Sequence, residues 1–167
     1  MGETITLRFV AEAKLGSKII EWWTWCPYSH VGCILPKGLR LPNGYTTRGG
    51  EELGSRVKPN GAPMAGVQVR PPYYADFTKT LLATSEMPDA SKFYQALFSQ
   101  IGKPYDTADI IDFALHRKRD WRDTSAWICS ELQAWAAEQA GISWLNPKIH
   151  VYKLTPRDIL LSPALAY

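Results

Sequence analysis

Cys129 opens the stretch Cys129-Ser130-Glu131-Leu132-Gln133-Ala134-Trp135, the predicted first turns of an amphipathic helix that Gly141 closes. Backbone N–H groups at a helix start carry partial positive charge, which favours thiolate over thiol. The thiolate is the nucleophilic form, so the position itself points to covalent chemistry. Such a nucleophile needs a base, and His30 in Ser29-His30-Val31-Gly32 supplies one on a predicted strand. A cysteine and a histidine on separate elements are the minimum for a thiol hydrolase. The backbone amide of Cys129, at a helix start, is also a natural oxyanion donor. This chemistry needs no metal and no organic cofactor.

The remaining histidines and cysteines are weaker candidates. His116 lies in the charged run His116-Arg117-Lys118-Arg119-Asp120, which reads as a solvated surface, and His150 lies on a late strand-like segment. Cys26 and Cys33 read as bystanders. The three cysteines form no CxxC or Cys/His zinc pattern, and an odd count argues against a complete disulfide framework. A reducing compartment of synthesis follows.

The elements that must position this pair read as follows. Thr4 to Val10 alternates, with Ile5, Leu7 and Phe9 on one face of a strand. Leu15 to Trp25 is helical, with Ile19, Trp22 and Trp23 on one stripe, and Pro27 ends it. Ser29 to Leu35 is a strand whose period places His30, Gly32 and Ile34 on one face and Val31, Cys33 and Leu35 on the other. Pro36 to Gly50 is a loop with Lys37-Gly38 and Asn43-Gly44 as turn signals. Leu53 to Val57 and Gly66 to Arg70 are short strands, and Pro71-Pro72 breaks the second. Asp89 to Ile101 is a helix stopped by Gly102. Asp106 caps a helix from Thr107 to Leu115, and Thr155-Pro156 starts a short terminal one. Strands early and helices late predict an α+β fold.

A chain of 167 residues suits one domain, 1–167, with 46% hydrophobic and 21% charged residues. A net charge of +3 demands neither nucleic acid nor a membrane surface, and the short basic run around Arg117 is weak evidence for a polyanion. No apolar run reaches transmembrane length and no secretion signal opens the chain. The expectation is a soluble protein made in the cytoplasm, with any delivery to a cell wall or virion left to another system. Seven tryptophans and eight tyrosines can fill a core or line a cleft for an extended substrate. Trp25 and Tyr28, in the stretch that precedes His30, and Trp127 beside Cys129 are the candidate substrate-binding aromatics. The alternative for the stretch is plain packing of its helix against the sheet.

Gly102-Lys103-Pro104-Tyr105-Asp106, Trp127-Ile128-Cys129-Ser130-Glu131-Leu132 and His30-Val31-Gly32-Cys33-Ile34-Leu35 together resemble the NlpC-type cell-wall endopeptidases of the papain-like class. That family carries Gly-x-Pro-Tyr, Cys-Ser-Gly-Leu and His-Val-Gly-Ile-Tyr motifs, and Glu131 replaces the glycine here. The usual order is cysteine then histidine. This chain reverses it, which is similar to the circularly permuted branch that includes YiiX-like hydrolases and relatives common in phage genomes. The resemblance runs from about Ile5 to Pro163. It implies a papain-like α+β fold with a central antiparallel sheet against helices. It also implies a cysteine peptidase or amidase acting on a peptidoglycan stem peptide. Lipid acyl ester or amide hydrolysis, acyl transfer, and a non-catalytic phage structural or binding module are its alternatives. In the family the group that orients the imidazole comes from the strand after the histidine strand. The matching Leu53-Gly54-Ser55-Arg56 offers Ser55, with Glu51 and Glu52 just upstream and Gln68 beyond. Ser55 and Glu52 are the candidates. Tyr105 matches the family tyrosine beside the nucleophile and is expected to donate to an oxyanion or substrate, or else to plug the core.

Overall fold

The computed structural model describes residues 3–57, 65–106, 125–146 and 154–167. Five strands form one antiparallel sheet: β1 (Glu3–Glu12), β2 (His30–Ile34), β3 (Glu52–Arg56), β4 (Gly66–Arg70) and β5 (Phe77–Met87), in the order β4-β3-β2-β1-β5. Four helices accompany it among the described residues: α1 (Leu15–Thr24), α2 (Ala90–Ser99), α3 (Cys129–Gln139) and α4 (Pro156–Leu160). The α+β expectation and the early strands with late helices are both seen. The predicted helix from Thr107 to Leu115, together with His116 and His150, lies outside the described residues.

β1 lies between β2 and the edge strand β5. Its alternation sends Ile5, Leu7 and Phe9 to one face, where they are fully buried with Val31, Cys33, Leu53 and Val67. α2 and α3 cover that face. Phe93 and Leu97 of α2, four residues apart, are fully buried there, as is Leu132 of α3. Burying each such side chain stabilises the fold by about 1.5–3 kcal/mol. The Asp89 carboxylate caps α2 by accepting from the Lys92 N–H at 2.9 Å. Thr155 and Asp158 form a capping box on α4, with Pro156 in its first turn.

Two departures from the sequence reading bear on the site. β5 was not predicted, yet it pairs with β1 along almost its whole length, from Glu3↔Met87 to Glu12↔Phe77. Trp127 is not a cleft residue. It is fully buried, its indole N–H donates to Gln100 Oε1 at 3.0 Å, and its ring lies 5.2 Å from that of Trp135. Its place just before Cys129 puts it under α3, in the core.

Candidate active site

The register of β2 builds the site. His30, Gly32 and Ile34 stand opposite Val10, Arg8 and Thr6 of β1, and Ile34 stands opposite Glu52 of β3. Residues directly opposite in an antiparallel pair share a face. His30, Arg8 and Glu52 therefore meet on the sheet face away from the apolar core. The imidazole Nε2 lies 2.8 Å from Glu52 Oε1. Gly32 makes this contact possible, and Gly54 leaves the imidazole ordinary van der Waals room. A Cβ on Gly32 would fall 2.5 Å from Glu52 Oε1, and a Cβ on Gly54 would fall 3.5 Å from the His30 ring. The carboxylate and the imidazole thus lie flat on a strip of sheet without side chains.

Glu52 is 1% exposed, and a buried carboxylate needs partners for both oxygens. Arg8 Nε donates to Oε2 at 2.6 Å, and the Tyr74 hydroxyl donates to Oε1 at 2.7 Å. Arg8 is fixed in turn by the Pro72 carbonyl at 2.8 Å and by the Phe77 ring beneath its guanidinium. Arg56 joins Tyr74 to Glu12, donating to both. Burial alone would push the Glu52 carboxyl up, but His30, Arg8 and Tyr74 hold it below the usual carboxylate range. It is an anion at neutral pH.

Cys129 approaches from the opposite layer. It is the first residue of α3, after Ile128 at the N-cap, and is buried. The β2–β3 pairing covers only Cys33↔Leu53 and Ile34↔Glu52, whereas β3 pairs with β4 up to Arg56. β2 and β3 thus part at the His30 end, and the thiol meets the imidazole there. The Leu35 N–H donates to Glu51 O, so alternation turns the Val31 N–H toward the same edge. There it donates to the Cys129 sulfur. With Nε2 held by Glu52, Nδ1 is the ring nitrogen left for the sulfur.

The electrostatics follow from this geometry. Burial alone would push the Cys129 thiol up, but the His30 charge and hydrogen bond, then the Val31 N–H and Arg56, bring it below the ordinary thiol range. Burial alone would push the imidazole down, yet Cys129 and Glu52 raise it to about 9. Each group favours the charged form of the other, which draws the pair toward thiolate and imidazolium. The fully buried Cys33 is pushed far up by burial and by Glu52, and stays an inert thiol. Cys26 is buried and also pushed up, first by burial.

The other sequence candidates separate clearly. The Ser55 hydroxyl does not orient the imidazole: it faces the other side of the sheet and donates to Trp127 O at 2.6 Å. That bond anchors the segment leading into Cys129. Glu52 is the first residue of β3 rather than an upstream loop residue, and it takes the position facing the imidazole. Glu51 is spent on the loop, accepting from the Arg48 N–H and the Tyr45 hydroxyl, each at 2.8 Å. Gln68 lies opposite Gly54, one strand further out.

Tyr105 stands beside Cys129 through backbone pairing with Trp127. Burial first, then the Cys129 charge, push its phenol well up, so it stays protonated and able to donate. Tyr28 is half-buried, with its ring 6.2 Å from that of Phe9 at the core margin. Trp25 is 81% exposed at the end of α1, outside the buried cluster. Sequence reasoning missed Arg8 and Tyr74. The signal for Arg8 was a cation flanked by Leu7 and Phe9 in the middle of a strand, and Tyr74 carried none.

Among the described residues no group of three His, Cys, Asp or Glu side chains converges as metal ligands would. Both Glu52 oxygens are taken by Arg8, Tyr74 and His30, and the guanidinium of Arg8 occupies the place a cation would need. The described residues of this site do not fit a metal.

No family model and no curated protein matches this chain. Among solved structures, the chain is similar to the crystal structure of metalloprotein yiiX from Escherichia coli O157:H7, DUF1105, with 17% sequence identity and a TM-score of 0.62, covering 99% of this chain and 95% of that one. At that identity the likeness is one of fold, and the fold of this chain is YiiX-like.

Proposed function

We propose that this protein is a thiol hydrolase that cleaves an amide bond by nucleophilic catalysis, with Cys129 as nucleophile, His30 as base and acid, and Glu52 as the residue that orients the imidazole. The observation that carries this reading is the chain of contacts from Cys129 through the His30 ring to Glu52 Oε1, with Arg8 closing its far end.

The Cys129 thiolate attacks the carbonyl carbon and forms the carbon–sulfur bond. The oxyanion is met by first-turn amides of α3, which have no intrahelical acceptor, and by the Tyr105 hydroxyl. The His30 imidazolium passes its proton to the leaving nitrogen as the carbon–nitrogen bond breaks. His30 then takes a proton from water, whose hydroxyl attacks the thioester. The acid leaves and the thiolate is restored. Glu52 keeps the imidazole turned to the sulfur throughout and keeps its charge stable.

The resemblance of the His30, Tyr105 and Cys129 motifs to the permuted, papain-like NlpC branch makes a peptidoglycan stem peptide the first substrate to try, in a bacterial or phage setting. A lipid acyl ester or amide would meet the same chemistry, and the outward apolar stripe of α1 favours that second reading.

The test is purified protein on muropeptides and, separately, on acyl lipids. Stem-peptide cleavage that disappears in Cys129→Ala, with an unchanged fold, supports the first reading. Fatty-acid release with no stem product moves the substrate to lipid. No more rapid alkylation of Cys129 than of a model peptide thiol at neutral pH removes the mechanism.

A further inference from the structure

α1 is amphipathic in the inverted sense. Ser17, Glu21 and Thr24 face the fold: Ser17 Oγ accepts from the Glu12 N–H at 3.0 Å and donates to Glu21 Oε1 at 2.9 Å, while Thr24 is buried and donates to Ile20 O at 2.8 Å. Its large apolar residues face outward, with Leu15 75%, Ile19 51%, Trp22 71% and Trp23 41% exposed. Those four fall on one stripe at helical spacing. Trp25 continues it, 81% exposed, in the left-handed conformation (φ 51°) that ends the helix. Glycine usually fills that position, and a tryptophan there is held away from the fold at a cost in backbone strain.

We infer that α1 docks this protein on an anionic lipid surface, lying in the plane of the headgroups. The charge on the outer arc fits that partner. Lys18 is exposed beside the stripe, Lys14 is exposed but paired with Glu12 at 3.0 Å, and Glu21, the only acid in the helix, is turned inward to Ser17. Tryptophan at the apolar edge with lysine beside it is the composition of interfacial helices. Ten residues make a rod of about 15 Å, long enough to lie on a bilayer and too short to cross one. A glycan would stack on flat, coplanar rings and gain nothing from Leu15 and Ile19. Trp22 and Trp23 meet edge-on at 79°, which is no platform for sugar rings.

The docking face is tied to the proposed site, since Ser17 Oγ is hydrogen-bonded to Ser29 Oγ, next to His30. The inference does not rest on catalysis, and the experiment keeps the two apart. The intact protein is sedimented with vesicles of phosphatidylcholine alone and of phosphatidylcholine with phosphatidylglycerol. The wild type and Cys129→Ala bind the anionic vesicles alike, and added salt weakens the binding. The double variant Trp22→Ser, Trp25→Ser, whose side chains are exposed, keeps its thermal midpoint and binds about tenfold less. Lys18→Glu also binds less. Absence of sedimentation with either vesicle, equal binding by the double variant, or equal binding to both vesicles overturns the inference. So does retention on insoluble peptidoglycan, lost in the double variant, without vesicle binding.

Discussion

Arg8 grips one oxygen of Glu52 at 2.6 Å while His30 meets the other at 2.8 Å, so a single buried carboxylate joins a structural cation to the proposed catalytic base. The two sides of Glu52 have different consequences. The His30 side tunes the imidazole, and the Arg8 side fixes the carboxylate in place and in charge. Breaking a buried pair by removing one partner leaves an uncompensated charge, at a cost of about 3–5 kcal/mol.

Glu52→Gln is therefore expected to do two separable things. It leaves the Arg8 guanidinium buried without its anion, which lowers the thermal midpoint. It also removes the negative charge facing His30, which lowers the imidazole's affinity for a proton and slows alkylation of Cys129 at neutral pH. Adding Arg8→Met to Glu52→Gln removes the stranded charge and restores most of the stability, but not the thiol reactivity. Thermal melts and iodoacetamide rates on the single and double variants check this. Equal recovery of both would mean that Glu52 acts only as a structural partner of Arg8.

Turnover is expected to follow a bell in pH, and alkylation its acid limb alone, because alkylation has no leaving amine to protonate. The thiolate–imidazolium pair is lost on the acid side as Cys129 takes a proton, below the ordinary thiol range. The imidazolium needed to protonate the leaving group is lost on the alkaline side, at about 9. The sign for stability follows. His30 is raised in the fold, so its contribution is fully present below its unfolded value of about 6.5, and it is lost as pH rises through about 9. Glu52 and Cys129 are lowered in the fold. Their contributions are present above their unfolded values and fade as pH falls through the folded ones. Alkylation rates across pH in wild type and His30→Ala measure the pair. A profile for the wild type that matches His30→Ala would dissolve it.

Gly32→Ala tests the bare strip of sheet. The added methyl would fall 2.5 Å from Glu52 Oε1 and 2.6 Å from the carbons behind it, so the carboxylate must leave the imidazole. The expected result is slow Cys129 alkylation together with a loss of about 1–3 kcal/mol from overpacking. Gly16→Ala is the control. Nothing lies within 4 Å of its added methyl, and in the helix α1 it is expected to stabilise by about 0.5–1 kcal/mol. Urea titrations and alkylation on both variants separate a positional effect from a general one.

The parts of the site that depend on chain period were legible in the sequence. The alternation of β2 placed His30 and Gly32 together and apart from Cys33, and Gly66–Arg70 is the predicted strand. Cys129 begins its helix where the sequence placed it. The parts that depend on pairing between distant strands were not legible. Ser55 and Glu52 stand as equal candidates in the sequence, because nothing local says that Arg8, 44 residues upstream, will pair with Glu52. β5 hides behind Thr78, Thr80 and Thr84, whose branched side chains suit a strand but give no apolar alternation. The stripe Ile19-Trp22-Trp23 was found by its period. Period alone does not say which way a stripe faces, and in the structure it faces out.

Trp127 is the remaining case where neighbourhood in sequence misled, and it yields a prediction of its own. Its ring is fully buried, its N–H is committed to Gln100, and its carbonyl accepts from Ser55 at 2.6 Å. Trp127→Ala is expected to cost about 3–5 kcal/mol of stability by opening a cavity under α3. Trp127→Phe keeps most of the volume but leaves the Gln100 amide oxygen without its donor, for a loss of about 1–3 kcal/mol. If Trp127 is core alone, alkylation of Cys129 in Trp127→Phe stays near the wild-type rate while its thermal midpoint falls. A wild-type midpoint with a raised KM for whichever substrate is turned over would return this residue to the cleft.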